Sequence, residues 1–433
     1  MGFKATLDAV LPEARQAVAA ALSAVGGLAV LFKAEGYRLY LVGGVVREAV
    51  AGRFVTGADL DCTTDARPPE VRRMVSAAAT SVWTQGERFG TIGCILDGRA
   101  FEITTHRADY YLSDSRKPRV AFGDEVTADL ARRDFTVNAM AIDTADGRLI
   151  DPYGGRADLR ARVLRTPLDP VVSFGDDPLR MLRAARFTAS HGLEPAAALV
   201  DAVRRLADRL DIVAAERTRD EFEKLLLSHD PTGGFRFLAE TGLITRVIAD
   251  LSPRRLEQTA RVVAAVAPTA VSRWAALFAH GSPAAAAAGL RRLRCSRSLI
   301  RSVAALLQAR DDLMTIPATH PEVRRFVHGS AVPVDEALDF AAAVAQASGA
   351  GHLGLAAFAE SLAELRRSET LDALAAPLDG TEVIAALGVE PGPEVGRALG
   401  FLLERTFEQG PLSKPEALAA LELWADRELR FES

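Results

Sequence analysis

The sequence predicts an α+β protein in which a head with a mixed β-sheet is followed by a mostly helical remainder. Within residues 1–150, short runs of β-branched and aromatic residues alternate with turn residues, a pattern typical of strands. From Asp176 onward Leu, Ala and Arg recur at helical spacing, with breaks at "HGLEP", "HDPTGG" and "PATHPE". With 433 residues, of which 49% are hydrophobic, the chain is long enough to form several domains.

Strand signals follow one another through the head. The run "YRLYLVGG" (37–44) predicts a strand, "VVREAVAG" predicts a short helix, and "GADLDCTT" predicts a second strand entered from a turn at Gly57. Further strands are predicted at "GTIGCILDG", "RAFEITTHR" and "FTVNAMAID". The segment from Arg107 to Val126 is rich in Ser, Asp and basic residues around a proline, and it predicts a mobile loop.

Charge and cysteine content limit the compartment and the class of partner. The net charge of -5 gives no sign of a nucleic-acid binder, although a local basic face is compatible with an acidic chain. Cys62, Cys94 and Cys295 form no C-x-x-C pair, which favours a reducing cytoplasm over a disulfide framework or a zinc site. The uncharged run from Gln16 to Phe32 contains two adjacent glycines and predicts a buried Ala-rich helix followed by a turn, not a membrane span.

Two aspartates in the second predicted strand point to a metal site. Asp59 and Asp61 are two residues apart, so in a strand both side chains lie on one face while Leu60 lies on the other. Two carboxylates placed together repel one another unless a cation lies between them, and hard oxygen ligands suit Mg²⁺. A D-x-D pair alone is more often a solvated strand edge, so the surrounding residues decide.

The residues just before the first predicted helix supply that context. Gly43 and Gly44 allow backbone amides to approach a phosphate at a helix N-terminus, where the helix dipole favours negative charge. Arg47, one turn further on, is placed to bind the same phosphates. Together with the aspartates, this order and spacing predict a site for a nucleoside triphosphate and a metal ion.

Five sequence motifs carry a resemblance to one family. "LVGGVVRE" with "GADLDCTT" resembles the first motif of the class II tRNA nucleotidyltransferases, which include the CCA-adding enzymes and bacterial poly(A) polymerases of the polymerase-β-like superfamily. The other motifs follow in family order as "RRDFTVNAMAID", "DPYGGRADL", "FGDDPLRMLRAARF" and "ERTRDEFEKLL". The resemblance implies a polymerase-β-like nucleotidyltransferase head followed by an elongated, mostly helical neck, body and tail. The corresponding domains are 1–150, 151–225, 226–330 and 331–433.

The resemblance also implies the reaction and its residues. It implies template-independent addition of CCA to tRNA 3′ ends from CTP and ATP, with Asp59 and Asp61 as catalytic residues that hold two Mg²⁺ ions. Glu102 is the candidate third catalytic carboxylate, or alternatively a half-exposed strand glutamate. Arg133 and Asp134 could equally form a structural ion pair. Nucleotide binding is expected from Gly43, Gly44, Arg47, Arg132, Arg133, Asp134, Asn138, Asp177, Arg180, Arg183 and Arg186.

Asp177 and Arg180 are predicted to read the base. They are three residues apart at a helix start, so a carboxylate acceptor and a guanidinium donor share one face. This pair accepts from the amino group of cytosine or adenine and donates to the adjacent ring nitrogen, whereas uracil and guanine place like groups opposite one another. Asp177 before Pro178 is also a good helix N-cap. The family usually has Glu where this chain has Asp176, a difference that affects how Arg180 is supported.

Other functions remain open from the motifs alone. A poly(A) polymerase or a partial A- or CC-adding enzyme shares the head motifs, although "RFGTIGCILDGRAFEITTHR" and the predicted loop are more similar to a CCA-adding enzyme. An inactive RNA-binding relative would be expected to lack Asp59 or Asp61, and a small-molecule nucleotidyltransferase would not need a base-reading pair.

The tRNA acceptor stem and elbow are the expected partners of the helical half, recognised by shape and phosphate contact. The densest basic cluster, in "LRRLRCSRSLIR", supplies the candidate RNA-binding residues Arg291, Arg292, Arg294 and Arg297. Alternatively, this cluster is a solvated helix face in an Arg-rich protein.

Overall fold

The fold is given by a computed structural model that describes residues 12–54, 57, 59–110, 119–249, 251, 255–349 and 353–428. The chain divides into two compact units, Met1–Pro253 and Arg254–Ser433. The first unit contains all of the described strands, and the described part of the second unit is helical. The predicted α+β class, with strands first and helices after, is therefore confirmed.

The elements of the first unit are as follows. Its strands are β1 (Leu39–Val42), β2 (Leu60–Thr64), β3 (Ser81–Trp83), β4 (Thr91–Leu96), β5 (Arg99–Thr105), β6 (Arg107–Tyr110), β7 (Arg119–Phe122), β8 (Ala141–Asp143), β9 (Leu149–Ile150), β10 (Val163–Leu164) and β11 (Glu194–Pro195). Its helices are α1 (Pro12–Ala24), α2 (Gly26–Ala34), α3 (Gly44–Val50), α4 (Pro68–Ser76), α5 (Val126–Ala131), α6 (Gly155–Ala161), α7 (Pro170–Asp176), α8 (Leu179–His191), α9 (Ala197–Leu206), α10 (Ala215–Leu226), α11 (Thr232–Thr241) and α12 (Ile244–Val247).

A seven-stranded mixed sheet organises the head. Its strand order is β3-β4-β5-β2-β1-β8-β9, and β2 runs parallel to β5 while the other neighbours are antiparallel. The predicted strands at β1, β2, β4 and β5 are all present. The parallel pair matters for the site because it places residues of β2 directly beside residues of β5.

The two faces of the sheet are covered by different clusters. Leu41 of β1 and Leu60 of β2 are fully buried in the main head core, together with side chains of α1 to α4. Tyr40 and Val42, on the opposite face of β1, are buried in a second cluster with Leu130 of α5. Because alternate strand residues point to opposite faces, β1 is buried on both sides, and the side chains that alternate with the core residues of β2 face the second side.

The predicted strand "FTVNAMAID" is only partly correct. The structure has a strand at Ala141–Asp143, but residues Thr136–Asn138 form a single 3₁₀ turn. The Asp134 carboxylate causes this turn, since one oxygen accepts from the Phe135 amide at 2.8 Å and from Asn138 Nδ2 at 2.9 Å. The apolar run results from burial within the head and does not reflect one continuous strand.

The segment predicted as a loop contains regular structure at both ends. β6 and β7 pair antiparallel as a two-stranded ribbon, with Arg107 opposite Phe122 and Tyr110 opposite Arg119. Helix α5 begins where the predicted loop ends, at Val126. Residues 111–118, at the tip of the predicted loop, lie outside the described residues.

The N-terminal apolar run forms two helices. None of the described helices is by itself long and apolar enough to cross a membrane, although α1 and α2 meet that requirement as a pair bent by 58°. Val18, Leu28 and Phe32 of these helices are buried in the head core. The run is therefore a helix followed by a break, as predicted, and its apolar face packs against the sheet.

The described part of the second unit consists of helices, whose buried side chains include two separate apolar clusters. The helices are α13 (Leu256–Ala265), α14 (Ala270–Leu277), α15 (Pro283–Arg292), α16 (Arg297–Leu313), α17 (His320–Gly329), α18 (Val334–Ser348), α19 (Leu353–Ser368), α20 (Gly380–Leu387), α21 (Pro393–Gln409) and α22 (Lys414–Glu428). Phe358 of α19 is fully buried in one cluster, and Leu402 of α21 in the other. Arg324 is buried at 7% exposure and donates to Glu369 Oε1 at 3.0 Å and to the Phe407 carbonyl at 2.9 Å.

Candidate functional site

Two carboxylates lie side by side on the second face of the sheet, and a third lies near them where β2 begins. The parallel register of β2 and β5 places Glu102 directly opposite Asp61, and Asp59 lies immediately before β2, two residues ahead of Asp61. Asp61 is exposed, yet nearby protein atoms displace water from its carboxylate. This desolvation raises the pKa of Asp61, Arg133 opposes the rise, and the negative charges of Glu102 and Asp59 add to it.

This arrangement suits a divalent cation that is bound partly by the protein and partly by the phosphates of a substrate. Excess negative charge around Asp61 is the condition that a cation would relieve. Among the described residues, however, no group of three or more His, Cys, Asp and Glu side chains is close enough to hold a metal ion. Mg²⁺ is commonly held by one or two carboxylates together with substrate phosphates and water. Asp59 and Asp61 therefore fit a site that the substrate completes.

Gly43 brings the chain into close contact with these carboxylates. Gly43 has φ of 71° and is the residue just before α3, in a region of backbone space that favours glycine. A methyl group on Gly43 would lie 3.3 Å from Asp61 Oδ2 and 3.3 Å from Arg133 Nη1. The turn therefore places the start of α3, the carboxylate and a guanidinium side by side, as a phosphate and metal site requires.

Replacing Gly43 with alanine is expected to reduce both stability and activity. The positive φ destabilises an L-residue by about 1–2 kcal/mol, and the added methyl group crowds Asp61 and Arg133. Gly36→Ala is the matched control, because Gly36 also has a positive φ, 81°, but a methyl group there meets nothing within 4 Å. The midpoint temperature of thermal unfolding should fall similarly in both variants, whereas the rate of nucleotide incorporation should fall only in Gly43→Ala. Equal incorporation by the two variants would contradict the role of Gly43 in the site.

A buried aspartate that the sequence analysis did not identify holds two arginines of the second motif. Asp129 is fully buried and accepts from Arg132 Nε at 3.0 Å, from Arg132 Nη2 at 2.6 Å and from Arg133 Nη2 at 3.0 Å. Burial alone would raise the pKa of Asp129, but Arg133 and Arg132 hold it below its ordinary value. The signal was present in the sequence, since Asp129 precedes the arginines by three and four residues, which places all three on one helical face. Arg133 thus pairs with Asp129, so the alternative of an Arg133–Asp134 ion pair is wrong.

Asp134 instead joins the head to α8. Arg183 donates from Nε and Nη2 to Asp134 Oδ2, at 3.0 and 2.5 Å, while Asn138 and the Phe135 amide donate to Oδ1. Burial favours a higher pKa for Asp134, but these donors, with Arg183 the strongest, keep it below its ordinary value. Asn138 Oδ1 in turn accepts from Arg47 Nη1. Both oxygens of Asp134 are engaged by protein groups, and its contact with nucleotide stays a prediction.

Arg186 and Arg183 meet a second buried carboxylate. Glu221, on α10 in the fifth motif, accepts from Arg186 Nε and lies 3.8 Å from Arg183 Nη1. The guanidinium of Arg186 also lies 4.7 Å from the centre of the Phe187 ring, and that of Arg47 lies 5.3 Å from it. These arginines share one network in which carboxylates offset their charges, since Arg47 also pairs with Glu48 at 3.0 Å. Their contact with a triphosphate stays a prediction.

The predicted base-reading pair does not form an internal ion pair. Asp177 Oδ2 accepts from Arg217 Nη2 at 3.4 Å, and its other oxygen accepts weakly from the Leu179 amide at 3.3 Å. Arg180 donates to Ser173 Oγ and to the Arg132 carbonyl. Pro178 directly precedes the first residue of α8, but Asp177 makes the contacts of a capping residue. Its backbone is extended, its side chain accepts from the Leu179 amide, and its carbonyl accepts from the Arg180 amide. Both side chains are half-buried, which leaves part of each open to a ligand.

The predicted RNA-binding arginines lie in the second unit. Arg291 and Arg292 end α15, Arg294 follows with φ of 54°, and Arg297 begins α16. All four side chains are exposed. They form one basic turn between two helices.

Two family models match the chain. The Poly A polymerase head domain matches residues 39–165, and a model described as "Probable RNA and SrmB- binding site of polymerase A" matches residues 192–254. The CCA-adding enzyme of Lactiplantibacillus plantarum is 31% identical over 398 residues, an alignment that covers 89% of this chain and 92% of the relative. The chain belongs to the CCA-adding enzyme family. Membership implies a divalent metal, for which Asp59 and Asp61 are the fitting residues.

Other relatives and solved structures agree with this assignment. The CCA-adding enzyme of Bacillus licheniformis is 39% identical over 212 residues, and the chain spans about half the length of this relative (52%). The crystal structure of the Bacillus stearothermophilus CCA-adding enzyme in complex with CTP has a TM-score of 0.73 at 26% identity and covers 98% of this chain and 100% of its own. The Thermotoga maritima CCA-adding enzyme complexed with tRNA has the same fold, with a TM-score of 0.65 at 22% identity over 91% of this chain and 93% of its own.

Proposed function

We propose that the chain adds CCA to tRNA 3′ ends from CTP and ATP, without a nucleic-acid template, and releases pyrophosphate. The observation that carries this proposal is the register of β2 and β5, which places Asp61 beside Glu102 and next to the Gly43 turn. Membership in the CCA-adding family and the similarity to a CTP-bound family structure support the choice of substrates.

The carboxylate face would perform the transfer. We propose that Asp59 and Asp61 bind Mg²⁺, which when bound lowers the pKa of the RNA 3′-hydroxyl and neutralises charge on the leaving pyrophosphate. Glu102, beside Asp61 on β5, would accept the proton of that hydroxyl. Arg133, held by Asp129, would stay close to the phosphates while remaining paired with a buried charge.

The neck would choose the nucleotide. Asp177 would accept from the amino group of cytosine or adenine, and Arg180 would donate to the adjacent ring nitrogen. Uracil and guanine would place a carbonyl against the carboxylate and an N–H against the guanidinium, leaving polar groups unpaired. Phosphate contacts are expected from Arg47 and, through the network around Glu221, from Arg183 and Arg186.

The remaining helices would position the RNA. We propose a catalytic head over residues 1–150, a base-reading neck over 151–225, and RNA-binding body and tail segments over 226–330 and 331–433. The exposed turn with Arg291, Arg292, Arg294 and Arg297 would contact tRNA phosphates. Cytoplasmic location is part of the proposal, since the three cysteines are free thiols, as a reducing compartment requires.

Incorporation assays test this function directly. The protein with Mg²⁺ is incubated with tRNA transcripts that end before CCA, after C or after CC, with CTP, ATP or both, and the 3′ ends are sequenced. We expect addition of two C residues and then one A, so that each transcript gains only the residues that it lacks. We expect no addition when EDTA removes the metal. No incorporation into any transcript would overturn the proposal.

A poly(A) polymerase is the second candidate, because the matching head model carries that description. The same assay with ATP alone separates the two activities. Long A tails on transcripts that already end in CCA would favour the polymerase, and addition that stops after CC or adds only A would identify a partial enzyme.

A further inference from the structure

We propose that Ser173 is a positioning residue that holds the guanidinium of Arg180 in its base-reading orientation. This inference rests on the proposed function and names a residue that sets its specificity. Ser173 was not among the residues expected from the sequence.

Two protein acceptors fix the guanidinium of Arg180. Arg180 Nη1 donates to Ser173 Oγ at 2.8 Å, with a longer 3.4 Å contact to the Ser173 carbonyl, and Nη2 donates to the Arg132 carbonyl at 2.6 Å. A planar group held at two nitrogens cannot rotate about its own axis without breaking a hydrogen bond. The Arg132 carbonyl belongs to the second motif, so the guanidinium is anchored to both the head and the neck.

Ser173 is itself held firmly. It lies in α7, whose first turn is capped by Asp169 Oδ1 accepting from the Val171 amide at 2.7 Å, with Pro170 as the first helical residue. Ser173 is 4% exposed, and the adjacent Phe174 is fully buried. Its hydroxyl therefore occupies a fixed position from which it can orient a longer, more flexible side chain.

A fixed guanidinium is what allows an arginine to reject a base. Uracil would present an N–H to Arg180, and two donors facing one another are unfavourable only if neither can move away. If Arg180 were free to swing aside, water would solvate both groups and the penalty would fall. Ser173 should therefore contribute more to the rejection of UTP and GTP than to the binding of CTP and ATP.

Ser173→Ala tests this role with little risk to the fold. Alanine is a good helix former and the change removes one oxygen atom, leaving the Arg132 carbonyl as an acceptor. The kcat/KM for each nucleotide is measured on tRNA transcripts ending before CCA and after CC. We expect the CTP-to-UTP and ATP-to-GTP ratios of kcat/KM to fall about tenfold, the effect typical of one hydrogen bond to a charged group.

A double-mutant cycle separates positioning from general support. If Ser173 acts through Arg180, then adding Ser173→Ala to Arg180→Ala should leave the nucleotide ratios of the Arg180→Ala single variant unchanged. Ser228→Ala is the matched control, because Ser228 is also buried but donates to the Leu225 carbonyl at 2.6 Å and lies outside the site. Its nucleotide ratios should equal those of the unsubstituted protein.

The outcomes distinguish this inference from the function on which it rests. If the unsubstituted protein adds CCA but Ser173→Ala lowers CTP and UTP use by the same factor, the serine is only structural and the inference is overturned. The same conclusion follows if Ser173→Ala alters the ratios equally in the presence and absence of Arg180. If the unsubstituted protein incorporates no nucleotide, the proposed function itself fails.

Discussion

Asp61→Asn is expected to abolish nucleotide transfer while leaving tRNA affinity nearly unchanged. Asparagine keeps the size of the side chain but removes its negative charge. That charge lies near Glu102 and Asp59 and would bind the metal. Metal stabilisation of the transition state is worth several kcal/mol, and about 4 kcal/mol corresponds to about a thousandfold in rate. Incorporation rates and tRNA binding, the latter by filter retention or fluorescence anisotropy, measure the two effects separately.

Asp65→Asn is the control for that experiment. Asp65 follows the other end of β2 and accepts from the Arg38 amide at 2.8 Å and from Arg38 Nε at 2.9 Å, remote from the Gly43 turn. Its loss should leave incorporation close to normal. A parallel loss of tRNA affinity and transfer in Asp61→Asn would instead indicate that Asp61 supports the fold or the RNA surface, contrary to its proposed role.

The site residues that sequence could predict are those linked by local geometry. The strand period of two predicts that Asp59 and Asp61 share a face, although β2 itself begins only at Leu60. Gly43 stands at a strand-to-helix turn that its sequence neighbours already indicate. Predicting that Asp61 lies opposite Glu102 would have required both the strand order and the parallel register of β2 and β5. No pattern within either strand determines that order.

Contacts distant in sequence explain what the sequence could not show. Asp134 and Arg183 are 49 residues apart, and Arg186 and Glu221 are 35 apart, so nothing local identifies either pair. The hydrogen bonds of the Asp134 carboxylate also explain why Thr136–Asn138 form a turn where a strand was expected. Asp129 is the exception, since its spacing of three and four residues from Arg132 and Arg133 is by itself enough to indicate the contact.

Asp134→Ala is expected to destabilise the first unit by about 3 kcal/mol, near the lower end for breaking a buried ion pair. Alanine leaves Arg183, Asn138 Nδ2 and the Phe135 amide without their acceptor. The loss is not larger because Arg183 is 32% exposed and keeps Glu221 at 3.8 Å. Urea unfolding followed by circular dichroism measures the difference, and incorporation should also fall because Asn138 no longer holds Arg47 in a fixed position.

The stabilisation that Asp134 contributes should depend on pH in a specific direction. The pKa of Asp134 in the folded protein lies below its ordinary value, and an unfolded aspartate titrates at about 3.9. The stabilisation is therefore fully present above about pH 4 and is lost as the pH falls through the lower folded pKa. The difference in unfolding free energy between the unsubstituted protein and Asp134→Ala should accordingly be constant from pH 7 to pH 5 and shrink under more acidic conditions.

An exposed aspartate provides the comparison that isolates burial. Asp201 is 62% exposed and pairs with Arg204 at 3.1 Å on the surface of α9, where such pairs contribute at most about 1 kcal/mol. Asp201→Ala should therefore shift unfolding far less than Asp134→Ala. If both variants unfold alike, the Asp134–Arg183 contact does not join the head to α8 in the way the structure indicates, because a buried charge left without its partner must be more costly than one that water can solvate.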